Sequence, residues 1–156
     1  MKMPEPDAEV LSRRERIVRD LARIVPGEGV IADIDALKAY ESDGLTAYRQ
    51  PPMVVVLPET TEQVARILRY CQDGGIKVVP RGAGTSLSGG ALPLADGVMV
   101  GLAKFNRLLD IDYANRCGVA QPGVTTLAIT AAVAAQGVYS APAPPRQLAS
   151  TPGGHA

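Results

Sequence analysis

Val78-Val79-Pro80-Arg81-Gly82-Ala83-Gly84-Thr85-Ser86-Leu87-Ser88-Gly89-Gly90 is the stretch on which the reading of this chain turns. A short β-branched run meets a proline. An arginine then opens a segment rich in glycine, with one threonine and two serines. Glycine permits positive φ and lets a ligand reach the backbone with no Cβ in the way. Successive free N–H groups in such a loop form a concave anion site, and hydroxyls add donors. That donor set suits a pyrophosphate. The same glycines also serve a plain Gly/Ser connection. Two familiar phosphate loops are excluded by residue. A P-loop requires Gly-Lys-Ser/Thr after its spacer, but here Gly89 is followed by Gly90 and Ala91. A dinucleotide fingerprint needs its third glycine where a helix opens. Gly82 and Gly84 fit its first two positions, but Leu87 stands at the third and Pro93 soon follows. This loop must therefore hold an anion without a helix dipole behind it.

The flanks predict a strand–helix–strand unit leading into the loop. Met53 to Val56 is an apolar run between Pro52 and Pro58, and reads as a buried strand. Thr60-Thr61-Glu62-Gln63 is a capping box, followed by Val64, Ile67, Leu68 and Cys71 at the helical period. Gly74-Gly75 stops that helix, and Ile76 to Val79 is the next strand. Such a unit is expected to be parallel and right-handed. Ligands in such sheets bind beyond the strand C-termini, where the glycine loop lies.

Downstream, Val98 to Leu102 predicts a strand. Leu108 to Ile111 and Gly118 to Gln121 are shorter candidates, joined by the turn Asp112-Tyr113-Ala114-Asn115. Pro122-Gly123 is a sharp turn. A helix from about Thr125 to Ala135 offers Leu127, Ala128, Ala131 and Ala134 or Ala135 for packing, and Gly137 ends it. Upstream, Ser12-Arg13-Arg14-Glu15 reads as a capping box. Ile17, Val18, Leu21, Ile24 and Val25 then form one stripe, closed by Pro26-Gly27. The opposite face carries Arg13, Arg16, Arg19, Arg23 and Asp20. Such a face suits either a membrane surface or, better here, solvent around a docked helix, because the stripe is short and lacks aromatics. A shorter helix is predicted from Asp33 through Leu37, and Tyr40 to Gln50 is polar and irregular.

Composition bounds the function classes. The 156 residues suffice for one domain with its own core. Acidic and basic residues balance at 16 each, which argues against a nucleic-acid footprint. Cys71 and Cys117 lie far apart, with no metal or redox spacing. They read as reduced thiols of a cytoplasmic protein. No run is long enough to span a membrane, and the acidic start Met1 to Asp7 lacks a signal core. No repeat and no second domain is visible.

At Arg-Gly-Ala-Gly-Thr-Ser-Leu-Ser-Gly-Gly (81–90) the chain resembles the pyrophosphate loop of FAD-linked oxidases of the vanillyl-alcohol oxidase and p-cresol methylhydroxylase superfamily. Within it, the likeness is to the group of glycolate oxidase FAD-binding D subunits and D-lactate dehydrogenases. It continues through Ala91-Leu92-Pro93, Phe105-Asn106-Arg107, Ile111-Asp112 and Gln121-Pro122-Gly123-Val124, covering about Pro51 to Gly137. The segment from Phe105 to Pro122 sets it apart from cell-wall precursor reductases of the same superfamily.

The resemblance implies an α/β to α+β fold, the N-terminal part of a p-cresol-methylhydroxylase-type FAD-binding domain with a small mixed sheet and flanking helices. It implies residues 1–50 as a helical lead-in and 51–156 as an FAD-binding domain incomplete at its C-terminus. It implies FAD as cofactor, with Pro80, Arg81, Gly82, Ala83, Gly84, Thr85, Ser86, Gly89, Gly90, Pro122, Gly123, Pro142, Thr151, Gly153 and Gly154 as binding residues. For Arg81, loop support and phosphate contact both remain open. Some relatives attach FAD through a histidine in a loop like Arg-Ser-Gly-Gly-His-Ser. Thr85 stands at that place here, and a hydroxyl without an adjacent base is a poor nucleophile, so the flavin is expected to be non-covalent.

The tail departs from the family pattern of Pro-Asp-Pro-Ser-Ser-Gln, a threonine, a Gly-Gly pair and an asparagine. Ala143, Pro145, Arg146 and His155 replace the aspartate, the two serines and the asparagine. Gln147, Thr151, Gly153 and Gly154 match. The implied activity is oxidation of a small 2-hydroxy acid, glycolate or D-lactate, with electrons passing to other glycolate oxidase subunits, an iron–sulfur subunit included, or to a quinone. No catalytic acid–base set and no metal set is identifiable, so this stretch alone is expected to be inactive. The other reading is a truncated, inert remnant that binds FAD weakly or not at all.

Overall fold

Asp7, directly after Pro6, begins the first helix. Its carboxylate accepts from the Glu9 and Val10 amides at 2.8 and 3.3 Å, capping α1 (Ala8–Ser12). Arg13 leaves helical geometry, and α2 (Arg14–Ile24) follows. The computed structural model describes residues 3–140, 149 and 151–154. The start expected at Ser12 is corrected: Ser12 already lies inside a turn, and its hydroxyl donates back to the Glu9 carbonyl at 2.7 Å. Asp7 caps the preceding α1, which takes in Ser12, and α2 starts after Arg13 with no side-chain cap. Ile17, Leu21, Ile24 and Val25 are buried, as the stripe predicts. Arg16 and Arg19 lie in solvent beside Asp20 and Glu15 at i,i+4 spacing, pairs that add a few tenths of a kcal/mol at most. Arg14 instead turns inward, donating to the carbonyls of Met53 and Ala32.

The sheet follows from the valines. After β1 (Val30–Ile31) come α3 (Ile34–Leu37), capped by Asp33, and a single 3-10 turn over Lys38–Tyr40. Next are β2 (Val54–Val56), α4 (Thr61–Asp73), β3 (Lys77–Arg81) and β4 (Gly97–Gly101). The strand order is β1-β2-β4-β3, with β1 antiparallel to β2, and with β2 and β3 both parallel to β4. So β2 and β3 share a direction but do not pair, because β4 enters between them. β4 is buried along its whole length, as a central strand covered on both faces must be.

Side chains alternate across the sheet. Val54, Val56, Val98 and Val100 join Leu21, Ile67 and Cys71 on the α2/α4 face. Val55, Val79 and Met99 join Leu37 on the other, with Tyr40 packed against them. The first fifty residues thus share both cores with the rest of the chain. Pro80 does not end β3, as the sequence led one to expect. The ladder continues to Arg81 opposite Gly101, because β3 is an edge strand, where a missing N–H breaks no bond. On α4, Thr60 caps through its hydroxyl to the Gln63 amide at 3.2 Å, while the Gln63 side chain reaches Glu59 rather than Thr60. Ile67 and Cys71 face inward, but Leu68 is exposed, and Tyr70, bonded to Asp20 at 3.0 Å, takes the packing role beside them.

A second, two-stranded antiparallel sheet pairs β5 (Leu108–Asp112) with β6 (Cys117–Ala120). Thr125 then caps α5 (Thr126–Val133), which tightens into a 3-10 turn and ends at Gly137 in left-handed conformation. The inward face expected for α5 is corrected. Thr126 and Val133 are buried and Ile129 is half-buried, whereas Leu127, Ala128, Ala131, Ala134 and Ala135 are exposed. The helix is apolar nearly all round, so its pattern carries no facing information.

Asp96 ties the N-terminus to the sheet. Its carboxylate, 2% exposed, accepts from Lys77 Nζ at 2.6 Å and from the Asp7 amide at 2.8 Å. Burial pushes its pKa up, but the Lys77 and backbone hydrogen bonds outweigh this and hold it below the ordinary 3.8. Its stabilisation is therefore present above the ordinary value and lost as pH falls through the lowered one. Asp96→Ala is expected to cost about 3 kcal/mol in urea unfolding at neutral pH, with the gap to wild type closing in that acid window. The two thiols should differ as sharply. Cys71 is fully buried and burial pushes its thiol up to about 11, while Cys117 is exposed. A thiol reagent should titrate one cysteine in the native chain and the second only after unfolding.

Candidate cofactor-binding site

β3 delivers the glycine loop to the C-terminal edge of the sheet. The carbonyl of Arg81 accepts from the Leu102 amide at 2.9 Å, so the loop starts beside the end of β4. At its far side Leu92 donates to the Gly89 carbonyl at 3.2 Å, and Ala91, Leu92 and Pro93 are buried. Gly84 and Gly89 hold φ of +70° and +78°. At Gly84 an added Cβ would sit 2.3 Å from Arg81 Nη2 and 2.5 Å from its Cζ. A side chain there would have to displace the guanidinium as well as hold a positive φ.

The Arg81 guanidinium therefore lies against Gly84. It sits 5.8 Å from the centroid of the Tyr40 ring, and its Nη1 donates to the Ser42 carbonyl at 2.9 Å and the Ala91 carbonyl at 3.4 Å. One side chain thus joins the start of the loop, its end, and a segment some forty residues upstream. Of the two roles left open for Arg81, the geometry is that of loop support. Burial pulls its pKa down, and the nearby Asp43 and Tyr40 oppose that shift.

The upstream segment is a wall that the sequence reading missed. Residues 40–50 read only as polar and irregular. Yet a Cβ on Gly44 would lie 2.8 Å from the Thr85 and Ser86 carbonyls, so its backbone packs on the loop. Asp43 is buried, with Oδ1 accepting from the Leu45 amide at 2.8 Å. A glycine following an aspartate was the one available signal, and it says "turn", not which surface the turn touches.

On the other side, Phe105 donates to the Leu102 carbonyl and Gly123 to the Phe105 carbonyl, at 3.0 and 2.7 Å. A Cβ on Gly123 would lie 2.3 Å from the Leu102 oxygen. The Gly153 amide donates to Pro122 at 2.8 Å, which brings the turn Pro152–Gly154 onto the Pro122-Gly123 corner. Pro122, Gly123, Thr151, Gly153 and Gly154 thus gather near the end of β4, close to where the 80–90 loop begins. Pro142, with Ala143, Pro145, Arg146, Gln147 and His155, lies outside the described residues.

These features fit a dinucleotide pyrophosphate. The loop offers backbone amides and the hydroxyls of Thr85, Ser86 and Ser88 as donors. Among the described residues, the buried side-chain polar atoms without a partner are Asp43 Oδ2 and Thr151 Oγ1. They stand in the two segments that flank the cradle. A groove of about 290 Å³ lies elsewhere, between the β5–β6 hairpin and α5, lined by Ile111, Cys117, Val133 and Tyr139 among others. It has no glycine loop, and its lining mixes apolar Leu108, Ile111 and Val133 with Arg116 and the hydroxyls of Tyr113, Tyr139 and Ser140.

Comparisons with known proteins agree with this geometry. A family model described as an FAD binding domain matches residues 52–156. The glycolate oxidase subunit GlcD of Escherichia coli (strain K12) is 46% identical over 142 residues, covering 91% of this chain and 28% of that protein. The mitochondrial D-2-hydroxyglutarate dehydrogenase of Bos taurus is 34% identical over 117 residues, covering 75% of this chain and 21% of that one. Among solved structures, p-cresol methylhydroxylase with substrate bound superposes with a TM-score of 0.71 at 22% identity, over 90% of this chain and 28% of that one. The fold is that of the p-cresol-methylhydroxylase-type FAD-binding domain, and this chain spans under a third of the length of each of these three proteins.

The Arg81–Gly84 contact makes a direct test. Gly84→Ala forces both a left-handed alanine and displacement of the guanidinium, and should cost about 2–3 kcal/mol. Gly27 has φ +78° but nothing within 4 Å of its Cβ position, so Gly27→Ala should cost only about 1 kcal/mol. Equal losses in urea unfolding would mean that Arg81 does not brace Gly84.

Proposed function

This chain belongs to the FAD binding domain family, and from that premise we propose that it is the pyrophosphate-holding part of a flavin-dependent 2-hydroxy-acid oxidoreductase acting on glycolate or D-lactate. The observation that carries the reading is the glycine loop braced by Arg81 at the C-terminal edge of the sheet, with an unpartnered buried hydroxyl, that of Thr151, in the segment across from it. The substrate class is supported by two relatives whose names share one feature: glycolate and D-2-hydroxyglutarate are both 2-hydroxy acids.

In this reading Gly82, Gly84, Gly89 and Gly90 expose backbone N–H groups to the phosphates, and Thr85 and Ser86 add hydroxyl donors. Pro80 and Ala83 shape the loop, and Arg81 braces it from beneath. Pro122 and Gly123, with Thr151, Gly153 and Gly154, form the facing wall, and Pro142 belongs to the proposed binding set on the sequence resemblance alone. FAD, when bound, supplies the acceptor for the hydride of the 2-hydroxy acid. The chain's own contribution is to bind and orient the dinucleotide. Thr85 takes the place of the histidine through which some relatives attach FAD, and a hydroxyl is a weaker nucleophile, so we hold the cofactor to be non-covalent. Partner subunits, an iron–sulfur one among them, belong to the proposal because the E. coli relative is by name a subunit. A cytoplasmic location is consistent with two unpaired cysteines.

Net gains of roughly 0.5–1.5 kcal/mol per hydrogen bond, more for charged acceptors, are set against the cost of ordering the loop. FAD should therefore bind in the micromolar-to-millimolar range, about −8 to −4 kcal/mol. Calorimetric titration should show this, with weaker binding by Gly84→Val, and acid precipitation should leave all the flavin in the supernatant. Nanomolar affinity, equal affinity in Gly84→Val, or flavin fluorescence in the precipitate would each contradict the reading.

A further inference from the structure

Asp43 carries a buried charge that the proposed function does not use. It is 5% exposed. Oδ1 closes a short turn onto the Leu45 amide, and Oδ2 has no partner among the described residues. Its chain neighbours are both committed to the cradle. The Ser42 carbonyl takes Arg81 Nη1, and Gly44 packs on the carbonyls of Thr85 and Ser86. Asp43 thus sits at the seam between the upstream wall and the glycine loop. Asp43 and Tyr40 are the groups here that act on Arg81, while Glu41, just before Ser42, pairs with Arg49 at 3.6 Å.

A carboxylate at this place cannot serve the phosphates directly, since like charges repel. It is also too buried for a ligand to reach. Its chemistry suits the half-buried guanidinium. Without a countercharge, Arg81 would be an uncompensated cation under an anionic ligand. It would be drawn up towards that ligand and away from Gly84, and the brace would be lost.

We propose that Asp43 is a positioning residue for the cofactor: its buried carboxylate is the countercharge that keeps the Arg81 guanidinium beneath Gly84, so that the loop holds its anion-binding shape. This rests on the FAD reading for its purpose but not for its geometry. The countercharge arrangement exists in the chain without cofactor. It also makes residues 40–44 a working part of the cradle rather than a connection.

Asp43→Asn keeps the volume and the acceptor for the Leu45 amide while removing the charge. Amide hydrogen exchange read by peptide, without FAD, should show residues 82–91 exchanging about tenfold faster in Asp43→Asn, with α4 and β4 unchanged. Asp43→Asn combined with Arg81→Gln should be no worse than Arg81→Gln alone. Unchanged loop exchange, or effects that multiply in the double variant, would overturn the proposal. If Asp43→Asn does not fold, Asp43→Ser keeps a shorter acceptor and gives the same reading. FAD titration adds a second arm with opposite signs. Simple charge removal beside an anion site would tighten binding, whereas loss of the brace should weaken it about tenfold; tighter binding overturns the proposal. Should the wild-type chain bind no FAD, the functional reading fails, and the exchange data still decide the role of Asp43.

Discussion

Arg81 is held from both of its ends. Its carbonyl accepts from Leu102 at the end of β4, and its guanidinium donates to Ser42 and Ala91 while filling the space beneath Gly84. Through these contacts one residue joins the edge of the sheet, both ends of the glycine loop and the upstream wall. The rest of the site follows from that constraint. The loop needs glycine at position 84 because the guanidinium occupies the place of a Cβ. The upstream wall needs glycine at position 44 because it must approach the carbonyls of Thr85 and Ser86.

The loop is built differently from phosphate loops that open a helix. There, the helix N-terminus supplies aligned amides and a favourable dipole, and the helix itself keeps the loop rigid. Here no helix follows, since Leu92 and Pro93 lead through a turn into β4. Rigidity has to come from across the fold. It comes from a buried side chain and from apolar residues 91–93 packed under the loop's far end. The cost is a half-buried cation whose pKa burial pulls down, with Asp43 nearby opposing that shift and the Tyr40 ring 5.8 Å from the guanidinium.

The sheet makes the arrangement durable. β4 is buried on both faces and pairs with β2 and β3, so the end of β3 cannot shift without disturbing the central ladder. Asp96, accepting from Lys77 on β3 and from the Asp7 amide, fixes the other end of the same edge strand to the first helix. The exposed apolar face of α5 stands in contrast. Leu127 and its alanine neighbours have no packing partner among the described residues that would fix the helix's orientation from that side.

Local chemistry was legible in one dimension. Val54–Val56 and Gly97–Gly101 are apolar runs bounded by breakers, and they are strands. Thr60, Asp33 and Thr125 precede helical patterns, and they are caps. The glycines and hydroxyls of residues 82–90 carried the expectation of an anion loop, and the matching segments around them identified the family. What the sequence could not carry was any choice depending on contacts between distant positions. Nothing local says that β4 enters between β2 and β3, or that Pro80 stays in the ladder because β3 is at the edge. Nothing local says that Ser12 ends a short helix capped at Asp7, or which side of a nearly all-apolar α5 turns inward. Least visible was the wall at Tyr40–Gly44. Its residues look like any polar connection, and their role exists only because tertiary packing sets Ser42 and Gly44 against Arg81 and the loop. Pattern and propensity act over a few residues, so the sequence by itself determined the elements and the chemistry of the cradle. Packing and buried charge act through space, so only the tertiary structure decided how that cradle is braced.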